Sequence, residues 1–279
     1  MLGFFLIMKA EIVRAWIITR RYWFRTITGL IIGYGMFMIL IAGFFYSQPA
    51  IEKGLSQLDD PTRATNYILG FIIGLFAFGV VGMFTQGIQE MAQTGVLEQL
   101  CMSPYGLVTN FLARTVVASI STIFYSSILV YMVVISVGGR LHFDPLAVVV
   151  LLTLSFINLI GFGFMIGGLV LVFKQVGQLT IVVRMVLFGL ALFAREELLN
   201  QGWFISILVH SLPITDAAIC LKYVLVRGQM NANGEFVSVF LHPSFYWLVV
   251  NCILWTSIGI SLFKVMENWS RKKGTLGTY

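Results

Sequence analysis

Long apolar runs separated by short polar segments dominate this 279-residue sequence. Six of the runs are long enough to cross a bilayer as helices, which takes about 20 residues each. A helix satisfies all of its backbone polar groups internally, so it is the structure that such runs favour in lipid. We place the six spans near residues 28–48, 64–86, 110–137, 146–173, 178–198 and 244–264.

The composition agrees with a membrane protein and leaves little room for a soluble part. Hydrophobic residues form 58% of the chain and charged residues only 11%, whereas soluble domains carry about a quarter charged residues. We therefore expect residues 1–279 to form one all-α transmembrane domain. The net charge of +6 does not indicate nucleic-acid binding, because the basic residues collect near the two ends, where they would meet anionic lipid headgroups.

The distribution of Lys and Arg predicts the orientation. If both termini are cytoplasmic, eleven of the 18 Lys and Arg residues lie inside, six lie outside, and Arg184 falls within a span. Cytoplasmic loops carry the excess of basic residues in membrane proteins, and an even number of spans agrees with this orientation. We expect a multi-pass protein of the cell (inner or plasma) membrane with both termini in the cytoplasm.

Two segments beside the spans have patterns of their own. Residues 1–27 place Trp16 and Trp23 on one helical face and arginines on the opposite face, which predicts a helix lying in the membrane interface. Residues 195–243 contain apolar runs that are too short to span and are broken at Pro213. This pattern predicts an external segment with short re-entrant helices between the fifth and sixth spans.

The segment 87–106 is polar, contains a glycine and lies between the second and third spans, on the cytoplasmic side in this orientation. Its centre reads Glu90-Met-Ala-Gln-Thr-Gly-Val-Leu-Glu-Gln-Leu-Cys-Met-Ser-Pro104. A short helix here would offer the apolar side chains of Val96, Leu97 and Leu100 to a partner, and the Ser-Pro pair would end it. The candidate contact residues are Glu90, Gly95, Leu97, Glu98, Leu100, Ser103 and Pro104.

This segment resembles the one that type-2 ABC exporter permeases place in the cytoplasm against their ATPase. The family pattern is a Glu-rich stretch, then Gly-Thr-Leu-Glu-x-Leu and Ser/Thr-Pro, and the chain has Gly-Val-Leu-Glu-Gln-Leu at 95–100 followed by Ser103-Pro104. Val96 replaces the usual Thr. A second similarity to the family lies after the fifth span, where residues 212–218 read Leu-Pro-Ile-Thr-Asp-Ala-Ala.

The resemblance implies a permease subunit that pairs with a second permease half, identical or related, and with two copies of a cytoplasmic ABC ATPase. The 87–106 segment would be its coupling helix. The chain contains no Gly-Lys dipeptide and so no phosphate-binding loop of the Gly-x-x-x-x-Gly-Lys-Ser/Thr type. We therefore expect a transport subunit, not an enzyme, with no cofactor of its own, and ATP and Mg²⁺ bound by the ATPase.

The family's mechanism also implies a transport path between the second and fifth spans, at the interface of two halves. The apolar side chains there indicate a hydrophobic or amphipathic cargo, a drug-like molecule or a lipid, moved out of the cytoplasm or the inner leaflet. The charge of Arg184 would contact an anionic group, reach the interface or form a structural bond. The candidates for the path are Phe71, Phe76, Phe78, Met83, Arg184, Met185, Phe188 and Phe193.

Two alternatives stay open: an ABC exporter of lipid-linked glycan, and an ion-coupled secondary transporter. The second is disfavoured, because Asp and Glu fall almost entirely at loops and span ends and no internal repeat is visible. The histidines His142, His210 and His242 fall in outer regions without ligand-like spacing. We therefore expect no metal site.

Overall fold

Helices account for nearly all of the chain that the structure describes. The computed structural model describes residues 2–46, 61–101, 103, 106–136, 141–173, 177–194, 202–230 and 235–272. Within these ranges the only strand-like feature is an isolated bridge between Met230 and Phe236. The helices are α1 (Leu2–Arg21), α2 (Trp23–Tyr46), α3 (Pro61–Gln93), α4 (Val96–Cys101), α5 (Gly106–Ser136), α6 (Pro145–Phe173), α7 (Gly177–Phe193), α8 (Trp203–Ser211), α9 (Thr215–Leu225) and α10 (Pro243–Lys272).

Four of the described helices, α3, α5, α6 and α10, are long and apolar enough to cross a membrane. The chain is therefore an all-α integral membrane protein. The apolar stretches of α2 and α7 are shorter, Trp23–Ile39 and Gln178–Phe193. The predicted spans 28–48 and 178–198 fall on these two helices, and their last residues lie outside the described ranges.

The pair α6 and α10 packs with its backbones in contact. A Cβ on Gly161 would lie 2.5 Å from the backbone nitrogen of Thr256, and a Cβ on Gly259 would overlap the carbonyl oxygen of Gly161. Such close approach is available only to glycine, and it lets two membrane helices maximise van der Waals contact. The pair is consequently the tightest helix contact of the bundle.

A cluster of four phenylalanines joins this pair to α3 and α5. The ring of Phe84 lies 5.1 Å from that of Phe111 and 5.0 Å from that of Phe164, and Phe164 lies 5.2 Å from Phe263, all edge to face. Edge-to-face pairs add about 0.5–1.5 kcal/mol each to the burial of their surface. The core of the protein thus sits between α3, α5, α6 and α10.

Contacts between distant residues define one end of the bundle. The Ser270 hydroxyl near the end of α10 donates to the carbonyl oxygen of Leu171 at 3.2 Å. Gly167 on α6 faces Ile88, close to the end of α3. The ends of α3, α6 and α10 therefore lie together, and α4 follows α3 at this same end.

The segment between α7 and α10 is not an exposed loop. Helices α8 and α9 are separated at Leu212–Pro213, and every residue from Thr215 to Val224 is buried. Asn158, near the middle of α6, donates from Nδ2 to the carbonyl oxygen of Pro213 at 2.7 Å. The apolar side chains of α9 pack between α3, α6 and α10, as a re-entrant helix covered by protein would, and the external position of the segment stays a prediction.

Helix α1 continues into α2 almost without interruption. Backbone hydrogen bonds run through the junction, from Tyr22 N to the Ile18 oxygen at 2.9 Å and from Thr26 N to the Tyr22 oxygen at 3.2 Å. One side of α1 packs on α5, while Trp16 and Trp23 remain exposed. The position of α1 in the membrane interface stays a prediction.

Candidate functional site

The corner between α3 and α5 contains the 87–106 segment. The Thr94 hydroxyl closes the last turn of α3 by donating to the carbonyl oxygen of Glu90 at 2.7 Å. Gly95 follows with a φ of +71°, the left-handed conformation that ends helices, and its N–H donates to the Ala92 oxygen at 3.2 Å. Helix α4 begins at the next residue, and Glu90 and Gly95 are exposed at the corner.

Helix α4 is attached to the bundle by one side. Leu97 is completely buried, and Leu100 is half-buried against the same core. Within the subunit these two leucines anchor α4 on α3 and α5, and their role in coupling to the ATPase stays a prediction. Val96, 38% exposed, and Gln99 lie on the outer side.

The chain leaves α4 through a hydrogen-bonded turn. The Gly106 N–H donates to the Ser103 oxygen at 3.1 Å, and Gly106 has a φ of +72°. Asn110 donates from Nδ2 to the Gly106 oxygen at 2.8 Å and to the Ser103 hydroxyl at 3.4 Å. The side chain of Glu98 and the whole of Pro104 lie outside the described residues, so their coupling roles stay predictions.

Arg184 joins α7 to α3. Its Nε donates to the carbonyl oxygen of Phe78 at 2.8 Å, and its guanidinium carbon lies 3.7 Å from the centre of the Phe78 ring. Its head group also fills the space beside Gly82, where any Cβ would collide with it. Of the interpretations that the sequence leaves open, these contacts are those of a structural bond between two helices.

Two more path candidates are part of a contact between α2, α3 and α7. The ring of Phe71 lies 4.6 Å from Phe37 and 4.9 Å from Phe188, edge to face in both cases. Phe188 in turn packs on Gly74, where a Cβ would lie 2.8 Å from its ring. These residues hold three helices together, and Phe71 and Phe188 keep partial exposure.

The remaining path candidates divide into inner and outer positions. Phe76 is 7% exposed in the single subunit and lies in its core, and its place in the transport path stays a prediction. Met83 is half-buried. Helix α7 presents its other side outward as an apolar face, which we call the outer face of α7; it consists of Leu179, Ile181, Val182, Met185, Val186 and Phe193.

An apolar cavity of about 180 Å³ lies between α3, α5, α6 and α9. Phe76 and Ile73 of α3 line its inner wall, and the exposed side chains of Tyr131 and Phe143 lie at its rim. The sequence carries no signal for this cavity, because it arises where α3, α5, α6 and α9 leave a gap between them in the folded bundle.

Lys222 of α9 is a buried cation that the sequence analysis did not single out. It is 7% exposed, and its ammonium group donates to the carbonyl oxygens of Ala191, Leu192 and Ala194 at 3.0, 3.2 and 2.9 Å. The last carbonyls of a helix have no partner within the helix. Lys222 therefore caps α7 from α9, with its positive charge at the negative end of the helix dipole.

His210 and Asp216 are likewise buried within the subunit. His210 Nδ1 lies 2.7 Å from Asp216 Oδ1 across the turn between α8 and α9. Across the described part of the chain, no group of three His, Cys, Asp or Glu residues is close enough to hold a metal ion.

The comparisons with known proteins agree with this architecture. A family model described as ABC-2 type transporter, membrane domain, matches residues 4–216, from α1 to the first turn of α9. No curated protein and no solved structure matches the chain. Because the match covers well over half of the 279 residues, the chain belongs to the ABC-2 type transporter family, as a multi-pass membrane permease subunit that works with an ABC ATPase subunit.

Proposed function

We propose that this chain is the permease half of an ATP-driven exporter that moves a hydrophobic or amphipathic molecule, drug-like or lipid, out of the cytoplasm or the inner leaflet. It acts in the cell membrane with six spans and both termini in the cytoplasm. Two halves, identical or related, assemble with two copies of the ATPase. ATP and Mg²⁺ bind to the ATPase, and this chain carries no cofactor.

The observation that carries the proposal is the anchored position of α4. Its buried residue Leu97 ties it to α3 and α5, and left-handed glycines delimit it on both sides, Gly95 before it and Gly106 after it. A closely packed contact transmits displacement instead of absorbing it. A push on the exposed side of α4, at Val96 and Gln99, would therefore move α3 and α5 together.

Helix packing supports six spans and a cytoplasmic α4. The two shorter apolar helices each pack along a long one, α2 on α5 and α7 on α3, as expected of helices that share one bilayer. The ends of α3 and α10 lie at the same end of the bundle, with Ser270 bonded to Leu171. The excess of Lys and Arg at the chain's ends favours the cytoplasm for that side.

The outer face of α7 supports an apolar cargo. Its members, Val182 and Met185 among them, are exposed in the single subunit, whereas the opposite side of the helix packs on α3 through Arg184. A second subunit meeting this face would enclose a path lined by branched, aromatic and thioether side chains. Such a lining adapts to apolar molecules of different shape.

The first experiment tests the coupling role of the corner. The permease is co-purified in detergent with its ATPase as wild type, as Gly95→Trp and as Glu98→Arg, a charge reversal in the motif. Gly35→Trp on α2 is the matched control, since neither glycine has an atom within 4 Å of a Cβ. We expect the ATPase to be lost from both corner variants and kept by the control; equal recovery from all of them would contradict the proposal.

The second experiment tests the energy source and the cargo. Inside-out vesicles that contain the permease and ATPase are supplied with a panel of fluorescent amphiphiles. We expect accumulation that requires ATP and persists when ionophores collapse the ion gradients. Accumulation driven by an ion gradient without ATP would identify an ion-coupled carrier instead.

A further inference from the structure

A histidine and an aspartate meet at the turn between α8 and α9. His210 lies in the last turn of α8, Asp216 lies in the first turn of α9, and His210 Nδ1 is 2.7 Å from Asp216 Oδ1. Helix α10 covers the pair from the other side. Trp247 stacks on the imidazole at 4.9 Å with an angle of 13°, and Asn251 Nδ2 donates to the backbone oxygen of His210 and, at 3.4 Å, to Asp216 Oδ2.

The pair is almost completely removed from solvent. Asp216 is 1% exposed and His210 is 6% exposed. Thr215, between them in sequence, donates its hydroxyl to the backbone oxygens of Val209 and, at 3.2 Å, Leu212, which closes the turn. The pair therefore joins α8, α9 and α10 at one buried point.

The surrounding helices direct their other titratable groups elsewhere. Helix α6 carries none, and α7 contributes only Arg184, which is bonded to Phe78. On α9, Lys222 caps α7 and Tyr223 donates to the Val237 oxygen at 3.0 Å. The remaining titratable groups on these and the adjoining elements are Arg63, Tyr67 and Glu90 on α3, Cys220 on α9, His242 before α10, and Tyr246, Cys252, Lys264, Glu267, Arg271 and Lys272 on α10.

Charge decides how many protons such a buried pair holds. With one shared proton the pair is neutral overall, whichever of the two residues carries it. Loss of this proton leaves a buried carboxylate, and gain of a second leaves a buried imidazolium, and burial opposes both. In keeping with this, burial raises the pKa of the Asp216 carboxyl to about 8 and lowers the pKa of the His210 imidazole.

We propose that His210 and Asp216 form a proton-binding site that holds α8, α9 and α10 together while it contains one proton and releases them when that proton is lost. The site is separate from the α4 corner and the outer face of α7. It does not depend on the cargo or the direction of transport, so it stands or falls independently of the proposed function.

The pH window follows from the proton count in each state. In the unfolded chain the aspartate titrates near its ordinary pKa of 3.8 and the histidine near 6.5. Between these values both states hold one proton, so the pair adds no pH dependence. From about pH 6.5 to about pH 8 the folded pair keeps its proton while the unfolded chain has lost it, so stability falls by up to about tenfold in the unfolding equilibrium constant per pH unit.

Two variants give opposite expectations that a merely structural role would not produce. Asp216→Asn keeps the shape of the side chain but cannot share the proton. The loss of stability above about pH 6.5 should therefore disappear. Stability should instead decrease as the pH drops below about 6.5, since the buried histidine resists charging. In His210→Gln the unfolded chain no longer has a histidine to bind a proton at this position. Stability should therefore begin to decrease near the ordinary aspartate pKa of 3.8 as the pH rises.

The measurement is the thermal unfolding temperature of the full chain with its ATPase in detergent, from acidic to alkaline pH. Glu235→Gln is the control: it removes one exposed carboxyl group between α9 and α10 and leaves the buried pair unchanged. This control should keep the wild-type profile. Hydrogen exchange of residues 203–225, corrected for its intrinsic pH dependence, should show lost protection above about pH 8 in the wild type and in the control, and not in Asp216→Asn.

Three results would overturn the proposal. A wild-type unfolding temperature that does not change between about pH 6.5 and about pH 8 would overturn the proposal, even if no variant folds. An Asp216→Asn variant that keeps the alkaline fall would assign it to other groups. Exchange at 203–225 that is independent of pH would show that the helices do not separate there.

Discussion

The glycines that bracket α4 show how single residues shape the corner. Gly95 and Gly106 both have left-handed φ angles, +71° and +72°, and neither would bring a Cβ within 4 Å of another atom. Glycine is therefore required at these two positions by the backbone conformation and not by a lack of space. A side chain in this conformation costs about 1–2 kcal/mol per residue.

Gly95→Val should lower stability by about 1–2 kcal/mol and weaken recovery of the ATPase, because valine resists the left-handed turn. Gly95→Asn should retain most of both, since asparagine tolerates this conformation. Thermal unfolding and co-purification measure the two effects. Gly79→Ala, in the helical part of α3 and also without a nearby atom, is the control and should be neutral or slightly stabilising; equal loss in valine and asparagine variants would contradict the argument.

Arg184 shows that an intramembrane charge can serve packing. Arg184→Lys should destabilise the protein by about 1–2 kcal/mol, because a lysine loses the planar stack on Phe78 and the directed Nε bond. Thermal unfolding in detergent checks this. Arg14→Lys, an exposed arginine paired with Glu11 at 3.4 Å, is the same change without burial and should have no measurable effect.

At the scale of elements, α7 depends on its neighbours for its shape. It packs along α3 through Arg184 and Phe188, and its final carbonyls bond to Lys222 of α9. Lys222 supplies the hydrogen-bond donor that the last carbonyls of a helix otherwise obtain from water or another side chain. The end of α7 is thereby tied to α9 and, through the α8–α9 turn, to α10.

Lys222→Met should cost about 1–3 kcal/mol, because it keeps the side-chain length but leaves three buried carbonyl oxygens without their donor. Hydrogen exchange should rise in residues 187–194 and remain unchanged in α10. Lys264→Met, on an exposed position of α10, is the control and should leave exchange as it is. Unchanged exchange at the end of α7 in the Lys222 variant would contradict the capping role.

In the whole molecule, the central helices and the peripheral ones differ in what they leave uncovered. Helices α3, α6 and α9 are mostly buried within the subunit, whereas α5 is mostly half-buried and the outer face of α7 is exposed. Lipid covers apolar surface as readily as protein does, so exposure alone does not define an interface. The proposed pairing of two halves through α7 therefore needs a direct test.

Val182→Cys, on the outer face of α7, should form an intermolecular disulfide in membranes if two copies meet there. Val149→Cys on α6 is the matched control, because the two valines are similarly exposed, 58% and 62%. Non-reducing electrophoresis separates the products. A dimer from the Val149 variant alone would place the interface elsewhere, and a dimer from neither would favour a related chain as the partner.

Much of the architecture is predictable from hydropathy and short motifs. Each of the six predicted spans falls on a helix, and the break at Pro213 falls between two helices. A short helix with Val96, Leu97 and Leu100 was also predicted, but the left-handed turn at Gly95 was not, because a glycine in a sequence serves close approach and positive φ equally well. The side of α4 that faces the bundle was not: Leu97 and Leu100 are apolar whether they contact a partner or their own core.

Hydropathy settles that the chain lies in a membrane as helices, because the transfer of long apolar runs from water outweighs local preferences. The family follows from the order of the motifs along the chain and the match over residues 4–216. The environments of Lys222, Asp216 and Phe76 required the folded structure. A charged residue reads as exposed in sequence, and its burial becomes possible only when distant backbone and side-chain atoms, such as the end of α7 or His210, supply the bonds that water would otherwise make.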